Sequence, residues 1–140
     1  MNEAEPLTML RRAGLRSTPQ RLAIVREVFA LNHPTVREVY AAVRAEFPAI
    51  GLATVYNTLR TMTDKGLVSE LPFANATRFE VNTRPHANLV CRRCGTIEDC
   101  DLVDQELLDE IQSRVAEAAS FRPEAQRIDI YGLCRNCLAD

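Results

Sequence analysis

Four of the chain's five cysteines fall into two CxxC pairs, Cys91-Arg92-Arg93-Cys94 and Cys134-Arg135-Asn136-Cys137, about forty residues apart. Two such pairs supply four thiolates on two short chelating loops, which is the donor set of a closed tetrahedral zinc site. With sulfur at every position and no bound water, a site of this kind is structural. Redox dithiols or plain core cysteines would also use these residues, but the doubled motif favours zinc. Cys100 stands outside both pairs and reads as a small buried hydrophobe. A thiol-disulfide enzyme would set its CxxC at a helix start in a βαβ context, where the thiolate is stabilised. A zinc hydrolase would need an open coordination position and a general base, as in HExxH. Neither context is present, so the sequence reads as a non-enzyme.

The elements that must position these residues belong to an ordinary globular chain, 46% hydrophobic and 26% charged. No apolar run approaches the roughly 20 residues of a membrane span, and the stretch MNEAEPLTMLRR lacks the apolar core of a signal peptide. The expectation is a cytoplasmic protein without membrane association, a compartment that suits zinc-bound thiolates better than disulfides. The net charge of −2 hides an asymmetry: residues 1–82 carry 10 Lys/Arg against 8 Asp/Glu, and residues 83–140 carry 7 against 11. Only the first part is therefore suited to face a polyanion.

Leu22, Val25, Val28 and Phe29 recur at helical spacing over residues 20–30, as do Val36, Val39, Tyr40 and Val43 over 35–46. Phe47-Pro48-Ala49-Ile50-Gly51 breaks the pattern. A third helix then runs from Leu52 to about Lys65, burying Leu52, Val55, Leu59 and Met62 and ending at Gly66. Alternating runs at 67–71 and 78–81, separated by Pro-Phe-Ala-Asn-Ala, read as a β-hairpin. Three helices followed by a hairpin make a winged helix-turn-helix. In that architecture the helix after the turn enters the major groove, and its outward face is expected to carry Thr54, Tyr56, Asn57, Thr58 and Arg60. Asn pairs bidentately with adenine, Thr and Tyr contact thymine methyls or phosphates, and Arg reaches guanine or the backbone. Arg11, Arg12, Arg16 and Arg21 could add backbone or minor-groove contacts.

In the second part, residues 88–91 and 96–99 read as short strands flanking the first cysteine pair. Residues 101–119 read as a helix with Leu108, Ile111 and Val115 on one face, and 126–131 as a third strand leading into the second pair. The fold class expected is α+β: an N-terminal winged helix over 1–82, then a small α/β domain over 83–140 with a four-cysteine zinc site. A domain of that size has a thin core, so metal and dimerisation should both support it.

The chain resembles the ferric uptake regulators. The resemblance is carried by Ser17-Thr18-Pro19-Gln20-Arg21, His33-Pro34-Thr35, Ala53-Thr54-Val55-Tyr56-Asn57-Thr58-Leu59, Gly66-Leu67-Val68, Arg78-Phe79-Glu80, His86 through Cys94-Gly95, and Cys134 to Cys137, in family order from about residue 7 to 138. It implies a homodimeric, metal-responsive repressor that binds a double-stranded DNA operator, with structural Zn(II) on the four paired cysteines. It also implies a second, regulatory metal, Fe(II) or Mn(II), bridging the two domains. The matching ligand positions are His33, Glu80, His86, Asn88 and Asp99. Asn88 is the departure, since relatives usually place a histidine there, and an amide oxygen shifts the site toward harder donors. The chain's only two histidines both fall on these positions.

Within the family, Asp99 and Asn57 match the peroxide-sensing branch, Glu80 matches the iron-homeostasis branch, and Asn88 fits neither. The peroxide reading is favoured, in which bound Fe(II) directs oxidation of His33 or His86; iron- or manganese-responsive regulation is the alternative. The switch implied is a clamp. A metal joining His33 to His86 and Asp99 would select one angle at a hinge over residues 81–85, and with it the spacing of two recognition helices on DNA.

Overall fold

The computed structural model describes residues 4–73, 75–81 and 84–139. The chain divides into two compact units, Met1–Thr83 and Arg84–Asp140. Two residues of the expected hinge, Asn82 and Thr83, lie outside the described residues, as does Ala74 of the hairpin turn.

Unit 1 begins with a helix additional to the three expected, α1 (Ala4–Arg12), followed by α2 (Pro19–Ala30), α3 (Val36–Glu46), α4 (Leu52–Asp64) and the strands β1 (Ser69–Pro72) and β2 (Thr77–Glu80). Two of the motif threonines prove to be helix caps. Thr18 Oγ1 accepts from Arg21 N at 3.2 Å, with Pro19 pre-setting the first helical residue. Thr35 Oγ1 accepts from Glu38 N at 3.2 Å in the same way at the start of α3. Gly66 closes α4 with φ +72°, allowing Leu67 N to reach back to Met62 O at 2.9 Å.

The core of unit 1 gathers Leu10 from α1, Ile24, Val25 and Val28 from α2, Val39 and Val43 from α3, Val55, Leu59 and Met62 from α4, and Phe79 from β2. Each fully buried aliphatic or aromatic side chain of this kind contributes ~1.5–3 kcal/mol. Leu52, expected inside, is only half-buried. β1 and β2 pair antiparallel, with Ser69 opposite Glu80 and Pro72 opposite Thr77, so Pro72 belongs to the strand rather than the turn. This is the winged helix-turn-helix expected, with α1 packed on it.

Unit 2 holds β3 (Ala87–Cys91), β4 (Ile97–Cys100), α5 (Gln105–Ala119), β5 (Ile128–Gly132) and a short α6 (Arg135–Leu138). The sheet order is β4-β3-β5, with β4 antiparallel and β5 parallel to β3. The helix starts later than residue 101 because Asp104 caps it, accepting from Leu107 N at 3.0 Å. No residue of α5 is buried: Ile111 is 38% exposed and Val115 40%. The apolar face predicted there exists as a stripe, but the single chain does not cover it. Cys100 is half-buried at the end of β4 rather than fully inside.

Candidate metal centres and DNA-facing helix

The two knuckles meet because β3 and β5 are parallel neighbours whose C-terminal ends lie together, Cys91 opposite Gly132. Chain direction then carries Cys94 and Cys134 onto one spot. The left-handed turn at Gly95 (φ +78°) folds the first knuckle back, with Gly95 N donating to Cys91 O at 3.0 Å. The sulfurs of Cys91, Cys94, Cys134 and Cys137 all lie within 4.8 Å of one another, with Cys94 and Cys134 3.7 Å apart. A zinc–sulfur distance of about 2.3 Å in a tetrahedron places sulfurs about 3.8 Å apart, so the cluster matches the ion it was predicted to hold. Cys100 is not part of it.

Electrostatics of the four thiols are uneven. Donation from the backbone N–H of Cys94, and then of Cys134, brings the Cys91 thiol down to about 5; the Cys134 N–H lies 3.3 Å from Cys91 Sγ. Burial, and then the neighbouring sulfurs, push Cys137 up to about 12. Four thiolates cannot coexist there without a cation, and a dication is what relieves them.

The five expected regulatory ligands form two local groups, one in each unit. In unit 1, His33 Nε2 lies 3.2 Å from Glu80 Oε2, with both side chains buried. His33 Nδ1 donates to Asn32 Oδ1 at 2.7 Å, which leaves the Nε2 lone pair facing the carboxylate. Two acceptors facing each other in a buried pocket call for a shared cation, either a proton or a metal. The backbone is arranged for this. His33 sits at φ +48°, a costly region for a non-glycine residue, and is held there by Arg78 Nη1 donating to its carbonyl at 2.9 Å and by Phe79 N donating to Pro34 O at 2.8 Å.

In unit 2, His86 Nδ1 donates to Arg84 O at 2.6 Å, and its Nε2 lies 3.6 Å from Asp99 Oδ1. Both histidines therefore present Nε2 toward a carboxylate while an oxygen acceptor fixes Nδ1, the arrangement that outer partners give to metal-binding imidazoles. Asn88 is opposite Asp99 on β4 and Asp129 on β5. It is 1% exposed, its Nδ2 donates to Asp129 Oδ1 at 3.1 Å, and its Oδ1 has no hydrogen-bond partner. Such an orphaned acceptor costs about 1–3 kcal/mol. The donors fit a divalent metal of the first transition row: imidazole nitrogens, carboxylates and an unsatisfied amide oxygen. Sequence patterning assigns no role to Asn32, Arg78 or Asp129, because those of Arg78 and Asp129 rest on contacts across 45 and 41 positions and that of Asn32 on the ring orientation of its neighbour.

On α4, Tyr56 (45% exposed), Asn57 and Arg60 lie on the outer face as expected, and Thr54 is half-buried. Thr58 does not. It is 3% exposed and its hydroxyl donates to Thr54 O at 2.8 Å, since the helical period puts it beside Val55, Leu59 and Met62. Arg60 Nη1 donates to the Tyr56 hydroxyl at 3.1 Å, which couples two exposed polar groups on the outer face of α4. Arg11, Arg12 and Arg16 are exposed around the end of α1, and Arg21 Nη1 donates to Arg16 O at 3.3 Å. Among the described residues, no helix is long and apolar enough to cross a membrane.

The ferric uptake regulator family model matches residues 12–131. The peroxide-responsive repressor PerR of Staphylococcus saprophyticus is 39% identical over 135 residues, spanning 95% of this chain and 89% of that protein. The crystal structure of the Campylobacter jejuni peroxide stress regulator is similar with a TM-score of 0.70 and 33% identity, covering 94% of this chain and 98% of that one. The Vibrio cholerae ferric uptake regulator, whose structure reveals a rearrangement of its DNA-binding domains, gives a TM-score of 0.69 and 28% identity over 91% of this chain and 98% of that one. By its sequence and by its fold, the chain belongs to the ferric uptake regulator family.

Proposed function

We propose that the protein is a cytoplasmic, metal-dependent repressor that binds operator DNA as a homodimer and senses peroxide through Fe(II)-directed oxidation of His33 or His86. Unit 1 is the DNA-binding domain, unit 2 the dimerisation domain, and Cys91, Cys94, Cys134 and Cys137 hold structural Zn(II). The observation that carries the reading is the pair of half-built sites, His33 with Glu80 in unit 1 and His86 with Asp99 in unit 2, each with Nε2 presented and Nδ1 tied. One Fe(II) or Mn(II) ion shared by both would fix the angle between units and so the spacing of two α4 helices in successive major grooves. The exposed stripe of α5, with Ile111 and Val115, supports a second copy as its cover. The peroxide branch is supported by the 39% identical relative named for that response. Glu80 at the unit 1 carboxylate position favours iron or manganese homeostasis as the second reading.

The test is operator binding, on a duplex selected from random sequences, with Mn(II), Fe(II), Zn(II) or no added metal, before and after peroxide. Binding that needs Mn(II) or Fe(II), and is lost to peroxide only in the Fe(II) form, is expected. Binding indifferent to metal would reject the switch. On the same duplex, replacing Tyr56, Asn57 and Arg60 together with alanine should weaken binding at ~1–3 kcal/mol per lost base contact and leave both metals bound. Normal affinity across salt concentrations would remove α4 as the reading helix.

A further inference from the structure

The orphaned oxygen of Asn88 and the ion pair behind it have a consequence for which metal the protein selects. Asn88 occupies the central strand, between Asp99 on one side and Asp129 on the other. Arg127 grips Asp129 Oδ2 with two nitrogens, Nε at 3.1 Å and Nη2 at 2.8 Å, which leaves Oδ1 to accept from Asn88 Nδ2 at 3.1 Å. An ionised carboxylate only accepts, so it can bind the amide through its NH2 alone; a flipped amide would set oxygen against oxygen. Asp129 therefore decides the orientation of the Asn88 amide. With Nδ2 donating to Asp129 on β5, Oδ1 is turned from that carboxylate and has no hydrogen-bond partner, and Asp99, which pairs with His86, is the register neighbour of Asn88 on β4.

We propose that Asp129, braced by Arg127, is a positioning residue that presents Asn88 Oδ1 as an oxygen ligand to the regulatory cation. The unit 2 half-site then offers one imidazole, one amide oxygen and one carboxylate. Carbonyl and carboxylate oxygens suit Mn(II), whereas imidazole favours Zn(II) and the later transition metals. An amide in place of an imidazole, together with a carboxylate that fixes its buried oxygen away from β5, tilts the site toward the harder divalent cations. The inference rests on the regulatory-metal reading above and extends it to selectivity.

The experiment uses the zinc-replete, full-length dimer and measures Mn(II) binding from the EPR signal of free Mn(II), with Zn(II) competition for the same site. Asn88→Leu should lower Mn(II) affinity tenfold or more, and Asp129→Asn about 10–100-fold, the usual effect of removing an outer partner of a ligand. Asn88→His should shift the preference toward Zn(II). If Asp129 acts through Asn88, then Asp129→Asn should have no further effect in the Asn88→Leu background, a coupling that general damage to the sheet would not produce. Retained structural zinc and dimer mass identify variants that remain folded. Full Mn(II) affinity in Asn88→Leu would overturn the proposal, and additive losses in the double variant would overturn the positioning role. His33→Ala and His86→Ala separate the two levels. If they abolish Mn(II) binding while Asn88→Leu does not, the inference fails and the regulatory site stands; if neither matters, the site reading itself fails.

Discussion

Replacing Cys134 with serine should release the structural zinc and dissolve the dimer. Cys134 lies two residues past the end of β5, its sulfur is 3.7 Å from that of Cys94, and its backbone N–H is directed at the sulfur of Cys91. It therefore ties the second knuckle to the first by two routes. Little else in unit 2 can compensate, since its buried residues are Ala87, Asn88, Cys91, Ile97 and Cys137 and its longest helix buries nothing. Structural zinc sites contribute ~10–16 kcal/mol in small peptides at neutral pH, far more than this core supplies. A protein without zinc would also keep a proton on Cys137, whose thiol is pushed up to about 12. Zinc must displace that proton, so its affinity should rise with pH across the neutral range and fall in acid. Cys100→Ser is the control. That residue is half-buried and outside the cluster, so zinc content and dimer mass should stay at their normal values. Zinc by chelator titration and mass by sedimentation decide the matter; a zinc-replete, stable Cys134→Ser dimer would contradict the assignment.

Much of this arrangement is legible in the chain because it is local. Thr18-Pro19 and Thr35 announce helix starts through short-range capping, Gly66 announces a helix end, and the CxxC spacing announces chelating loops whatever surrounds them. Errors arise where a tertiary contact decides. α1 is only 9 residues long, so its existence depends on burying Leu10 in the core it shares with α2, which periodicity alone does not reveal. α6 is only 4 residues long and exists to present Cys137. Thr58 is chemically suited to DNA, but helical phase places it in the core. The proposed regulatory ligands are legible only through family resemblance, because His33 and Glu80 are 47 positions apart and neither has a spacing signature. The contacts of their outer partners are not legible in the sequence. Arg78 reaches the His33 carbonyl across 45 positions, and Asp129 meets Asn88 across 41, through strand register that no short motif encodes.

Peroxide should add one oxygen atom to His33 or His86 in the Fe(II) form, leave both intact in the Mn(II) form, and cost the Fe(II) form its operator affinity. Fe(II), when bound, would supply the electrons that cleave peroxide beside its ligands. The protein's part is to hold the two imidazoles there. Asn32 Oδ1 and Arg84 O fix the Nδ1 protons, so Nε2 of each ring would be the atom that holds the metal, with the rest of the ring within reach of the reaction. Glu80 and Asp99 lie 3.2 Å and 3.6 Å from those nitrogens, so a modified ring would disturb a carboxylate ligand in the same unit. A metal that favours one interdomain angle by ~1–3 kcal/mol changes DNA affinity about 5–150-fold, and loss of one imidazole should remove most of that factor. Peptide mass spectrometry after a brief peroxide exposure, paired with operator titration of the same samples, reads both effects. Asn32→Leu supplies an internal check: with the His33 tautomer released, metal affinity should fall while structural zinc and dimer mass remain normal. Unmodified histidines together with unchanged operator binding would reject peroxide sensing and leave regulation by iron or manganese itself, the use that Glu80 and the oxygen of Asn88 would then serve.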